Sequence, residues 1–140
     1  MKKKLISVSA IVLVIAMMFS LSGCIYESSK SLRPVKNVSL VLRPAANSGM
    51  PQMSLVIREH SVTISSSDLN NPYNGTYKVS DCVSTIWFEG SNFFESSTSQ
   101  GTIDGVGTIK YEYARSDKLL RGTVEFNNGT TSTFITEHVF

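Results

Sequence analysis

The sequence predicts an all-β fold, an antiparallel small barrel or sandwich of about eight to ten short strands. Three observations predict it. From Val35 onward apolar residues recur every second position, as in Val38, Leu40 and Leu42, the spacing of a half-buried strand. No stretch after Cys24 sustains an apolar 3.6-residue period, so little or no helix is expected there. Gly-Thr recurs at residues 75, 101, 107, 122 and 129, which uses five of the nine glycines. Three of these pairs open a clean alternation: Tyr77/Val79, Ile109/Tyr111/Tyr113 and Val124/Phe126. Many short strands joined by polar turns is the pattern of antiparallel barrels and sandwiches.

The first 24 residues are different. Lys2, Lys3 and Lys4 form a basic head, and Leu5 to Phe19 is apolar apart from Ser7 and Ser9. Basic head, apolar core and small residues are the parts of an export signal. Leu21-Ser22-Gly23-Cys24 completes it. This stretch resembles the lipobox of prokaryotic membrane lipoproteins. The resemblance implies a signal-peptide helix over residues 1–23, cleavage before Cys24, and a diacylglyceryl group on the Cys24 thiol. An uncleaved anchor is the main rival, since Leu5 to Gly23 approaches the roughly 20 residues that span a bilayer, and plain cleavage without lipid is the third outcome. In both cases the lysines stay inside and the rest is exported. Ile25 stands where Gram-negative lipoproteins retained at the inner membrane usually carry Asp. The resemblance then implies the outer membrane in a Gram-negative cell, and otherwise the outer face of the cell membrane.

Residues 24–34 read as a lipidated tether, short and polar, and residues 35–140 as the β domain. Within the domain, Val38, Leu40 and Leu42 share a face, and residues 45–51 form a loop with Gly49 and Pro51. Met53, Leu55 and Ile57 alternate, then Val62 and Ile64 after a turn at Glu59-His60. Ser65 to Asn74 is a longer loop. Most Gly-Thr glycines are expected to punctuate turns. Gly122 is the exception, since Leu119 to Phe126 reads as one strand, and there it marks a bend, bulge or close approach.

Two hairpins allow a register. Asn127-Asn128-Gly129 is read as a three-residue loop with Gly129 left-handed. That pairs Gly122 with Phe134 and sets Val124, Phe126 and Phe134 on one face; a two-residue turn would split them. Gly90-Ser91 suits a type II′ turn that pairs Phe88 with Phe93 and Trp87 with Phe94. These pairs lie on opposite faces, so one aromatic pair is left outside a barrel wall. Which pair it is stays open at this point. Trp87, Phe88, Phe93 and Phe94 are therefore the candidate partner-binding residues. From Gly75 to Phe140 the Gly-Thr-Tyr opening and meander are similar to small lipocalin-like barrels, which implies a ligand cavity. The Gly-x-Trp of that family is replaced here by Gly75-Thr76-Tyr77.

Charge and composition narrow the function. Three of the 13 basic residues lie in the leader, which leaves ten basic and eleven acidic residues in the remaining 117. With no basic stripe, nucleic-acid binding is not expected. If Cys24 carries lipid, Cys82 is unpaired, and its apolar surroundings predict a buried thiol. His60 and His138 each follow a glutamate, and neighbours on a strand point to opposite faces. Neither a metal site, which wants three or four converging ligands, nor a cofactor is implied. No Gly-x-Ser-x-Gly elbow or phosphate-cradling loop occurs. Three Asn-x-Ser/Thr sequences, at Asn37, Asn74 and Asn128, fit the N-glycosylation pattern, which is usually idle in a prokaryote, and the last two are read as turn chemistry.

The expectation is therefore a lipid-anchored envelope protein with no enzymatic activity. Its expected role is a binding or interaction module at the membrane surface, partnered by the membrane through Cys24 and by an envelope protein. The alternative is a small-ligand or lipid-binding barrel. A carrier requires a concave apolar pocket, whereas a module requires a filled core and an exposed apolar patch.

Overall fold

The structure is a computed structural model that describes residues 25–33, 39–89, 94–115 and 118–137. The leader, Cys24 and Phe93 lie outside these. The described residues contain nine strands and no helix. They are β1 (Ile25–Ser29), β2 (Ser39–Pro44), β3 (Met53–Ile57), β4 (Ser61–Ser65), β5 (Gly75–Glu89), β6 (Phe94–Ile103), β7 (Gly107–Ala114), β8 (Leu119–Phe126) and β9 (Thr131–Glu137). Each pairs antiparallel with its neighbours in the order β1-β5-β4-β3-β2-β9-β8-β7-β6, and β6 returns to β5. Eight strands thus close a barrel, and β1 is an extra strand.

The alternation read from sequence decides what fills the barrel. Leu40, Leu42, Met53, Leu55, Ile57, Val62, Ile64, Ile109, Val124 and Phe126 are all buried. Their polar alternates, such as Lys110 and Glu125, are exposed. The last hairpin has the predicted register. Gly122 pairs with Phe134, the Phe126 N–H donates to the Thr130 carbonyl at 2.8 Å, and Gly129 has φ +88°. A Cβ on Gly122 would sit 2.6 Å from the Phe134 ring, so the aromatic covers the glycine.

β5 is one long strand with a kink. Its pairing with β6 shifts between Ser80 and Val83, and Asp81 has φ +52°. The bulge reverses the alternation, so Val79 and Cys82 both face inward. Before it β5 pairs with β4; beyond it the same edge pairs with β1. Cys82 is buried, as expected, and its thiol donates to the Val79 carbonyl at 3.3 Å.

Two expectations need correction. Gly101 does not punctuate a turn: it lies inside β6, where a Cβ would sit 2.4 Å from Val79 Cγ1. Nor are residues 25–33 a tether. Residues 25–29 form β1, and Leu32 is wholly buried in the barrel core. The β3–β4 hairpin is shorter than the β5–β6 hairpin, and the Leu32 N–H donates to Glu59 in the β3–β4 turn at 2.9 Å. Ser84 Oγ donates to the Ser31 carbonyl at 2.6 Å, and the Tyr111 hydroxyl to the Arg33 carbonyl at 2.7 Å. Arg33 also pairs with the buried Glu95. Residues 30–33 therefore enter the barrel at the notch and plug it.

Candidate functional site

The inward side chains form one core cluster. Phe126, Phe134, Ile103, Ile109, Leu120 and Val124 fill one side, and Leu32 closes the notch. The inward hydroxyls of Ser84, Ser99 and Tyr111 serve the plug: Ser84 and Ser99 lie 2.6 Å apart, and the Arg33 N–H donates to Ser99 Oγ at 3.3 Å. Burial pushes the Tyr111 phenol far above its ordinary 10.0, so it stays a donor. Burial likewise raises Tyr113, helped by the nearby Glu95, and raises Cys82.

The large depression is on the outside. The outward face of β5–β9 forms a groove of about 760 Å³. Register explains its composition. One row across the strands is Val83, Gln100, Lys110, Thr123 and Thr133. The next is Thr85, Thr98, Glu112, Arg121 and Ile135. Val83 and Ile135 are 44% and 57% exposed. Arg121 and Glu112, cross-strand neighbours, form an ion pair. The surface is apolar at its two ends and charged between them.

The aromatic hairpin differs from expectation in register and agrees in face. Glu89 pairs with Phe94, Phe88 with Glu95 and Trp87 with Ser96. Four residues, 90–93, therefore connect the strands instead of two. A slip of two residues keeps every side chain on its own face, so hydrophobic alternation cannot detect it. Ile86, buried, and Phe88, half-buried, belong to the inward set with Glu95 and Ser97. Trp87 and Phe94 belong to the outward set. Trp87 is half-buried, two residues along β5 from Thr85 in the groove, and Phe94 is 43% exposed.

The structure thus puts Trp87 and Phe94 on the outer wall and sets Phe88 apart from them; Cys24 and Phe93 fall outside the described residues. Sequence reading missed the groove. Ten of its residues read as the solvated side of each strand, Ser99, Tyr111, Gly122 and Phe134 reach it from the inward set, and only the register across five strands brings them together. Among the described residues no three of His, Cys, Asp and Glu converge as metal ligands would. Comparison with protein-family models, with curated proteins and with solved structures finds no match.

Proposed function

We propose that this protein is a lipid-anchored, non-catalytic binding module of the cell envelope, and that the outer wall of β5–β9 is where an envelope protein docks. One observation carries the reading: the inward side chains form one apolar core cluster that includes Leu32, while a groove of about 760 Å³ lies on the outside. Five strands at about 4.8 Å spacing make it roughly 19 Å long. That length suits an extended segment of about six residues, at roughly 3.3 Å each. Val83 and Ile135 offer apolar anchors at its ends, and Lys110, Glu112 and Arg121 offer polar partners between.

The anchor is Cys24, acylated after cleavage, on the exported side of the membrane. This is the outer membrane if the cell is Gram-negative, and otherwise the outer face of the cell membrane. The support is the leader and Leu21-Ser22-Gly23-Cys24. Trp87 and Phe94 form a second contact surface, at the end of the wall nearest Ile25.

In-cell photo-crosslinking tests the docking face. A photoreactive residue at Thr123 or Ile135 should capture one discrete partner, and the same residue at Val41, exposed on the wall outside the groove, should not. Equal capture from both walls refutes the assignment. Mass spectrometry of the mature N-terminus tests the anchor: an unmodified Cys24 removes it.

A further inference from the structure

We infer that the barrel stands on its β5–β6 end and that Trp87 and Phe94 contact the lipid bilayer there. The inference rests on the membrane attachment proposed above. It adds which surface faces the lipid.

The argument begins from β1. Residues 25–29 are a strand, and Ile25 pairs with Phe88 and Tyr26 with Trp87. Cys24 is bonded to Ile25, so its Cα lies about 3.8 Å from that of Ile25 whichever way its backbone turns. Paired strands lie about 4.8 Å apart. The acylated residue is therefore within roughly 10 Å of the Phe88 backbone. Little slack remains between membrane and barrel, because Ile25–Ser29 pair along β5 directly after Cys24 and Leu32 is fixed in the core. The conclusion does not depend on cleavage. An uncleaved anchor over Leu5 to Gly23 would bring the bilayer to the same place.

The residues at that end suit a lipid interface. Phe94 is 43% exposed, and Trp87 lies on the same outward face. Aromatic side chains, Trp above all, favour the membrane–water boundary. The β7–β8 turn shares this end, since the Arg115 N–H donates to the Glu95 carbonyl at 2.9 Å. Arg115 and Lys118, both exposed, flank the aromatics as headgroup partners. Glu27, exposed on β1, offsets part of that charge, so the anchor and the aromatic contact carry the docking.

Trp87 is the single tryptophan of the chain, which makes it a built-in reporter. The full mature protein, reconstituted in phosphatidylcholine vesicles, is compared with and without brominated acyl chains. The control is a Trp87→Phe, Leu69→Trp protein. Leu69 is 90% exposed in the 66–74 loop, which leads into the far end of β5. Trp87 should shift to the blue and lose most of its emission to the brominated lipid, while the Leu69→Trp reporter keeps its own. Vesicle sedimentation and the N-terminal mass report attachment separately. Attached protein whose Trp87 is quenched no more than the Leu69→Trp control overturns this inference alone. Protein that neither sediments nor carries lipid overturns it together with the anchor. Capture of a protein from Phe94 by attached but unquenched material assigns this end to a protein partner and likewise overturns it.

Discussion

Leu32→Ala separates a tether from a plug. Residue 32 lies in a short polar segment and is read from sequence as part of a linker, where truncation costs nothing. In the structure Leu32 is 0% exposed, packed into the core. Replacing Leu by Ala deletes three carbon groups, each worth about 0.8 kcal/mol of burial, or roughly 2.4 kcal/mol together. The barrel walls around Leu32 are β-ladders that collapse poorly onto a void, so a cavity cost adds to this. The expected loss is about 3 kcal/mol. For a domain of about 115 residues each kcal/mol moves the melting temperature by about 4 °C, so a fall on the order of 12 °C is expected. Urea unfolding should show a lower midpoint with an unchanged slope. Lys30→Ala, two residues away and exposed, is the control and should stay within about 0.5 kcal/mol. If Leu32→Ala is no more destabilising than Lys30→Ala, the plug is not part of the core.

Three further outcomes are expected. The Cys82 thiol, buried and raised above its ordinary value, should react with a thiol reagent only as fast as the barrel opens, so labelling of the native protein in seconds contradicts the fold. Tyr111, whose burial raises it above its ordinary 10.0, stabilises the fold fully below pH 10; above that the unfolded chain ionises first, and stability falls by up to about 1.4 kcal/mol per pH unit for this group. Tyr111→Phe should flatten that alkaline slope, and an unchanged slope in a urea series from pH 9 to 11 refutes the assignment. Gly122→Ala should cost about 3 kcal/mol, because its Cβ would meet the Lys110 carbonyl at 2.3 Å and Phe134 at 2.6 Å; a melting temperature within 2 °C of the parent, about the shift of half a kcal/mol or less, would remove the packing argument.

Sequence pattern carries parity well and length poorly. Alternation in residues 53–57, 62–64 and 107–113 is enough to say which side chains are buried, and the structure buries them. The Gly122–Phe134 register was legible because the rival, a one-residue slip, would have split Phe134 from Phe126. The aromatic hairpin lacked that constraint. Its true register differs by two residues, which leaves the faces intact, so Trp87 and Phe94 were readable as a shared outward pair only in part. β1 and Leu32 were not legible at all. A strand of Ile-Tyr-Glu-Ser-Ser followed by a lone leucine has no period to read, and its burial depends on a notch between two hairpins distant in sequence. The bulge at Asp81 was equally silent, since its effect is to place Val79 and Cys82, three apart, on one face.

The plug changes what the proposed binding face can meet. A ten-residue flexible tether would let the groove sample any orientation within about 35 Å of the membrane. A barrel whose first strand begins one residue after Cys24 has no such freedom. Along β5, Thr85 lies three residues and Val83 five residues from Phe88, the partner of Ile25. Under the proposed anchor, at about 3.3 Å per residue the two groove rows stand roughly 10 and 17 Å from the attachment level, less any strand tilt. The groove runs across the strands, and with the β5–β6 end on the lipid it lies broadly parallel to the bilayer. Its partner must then present an extended segment close to the membrane and along it. A partner held at the same surface meets it at high effective concentration, so the groove can act with modest intrinsic affinity. Lengthening the connection tests that coupling: a flexible Gly-Ser insertion between Cys24 and Ile25 should leave the fold intact and weaken capture at Thr123. Undiminished capture would mean that the groove binds a partner without reference to the membrane.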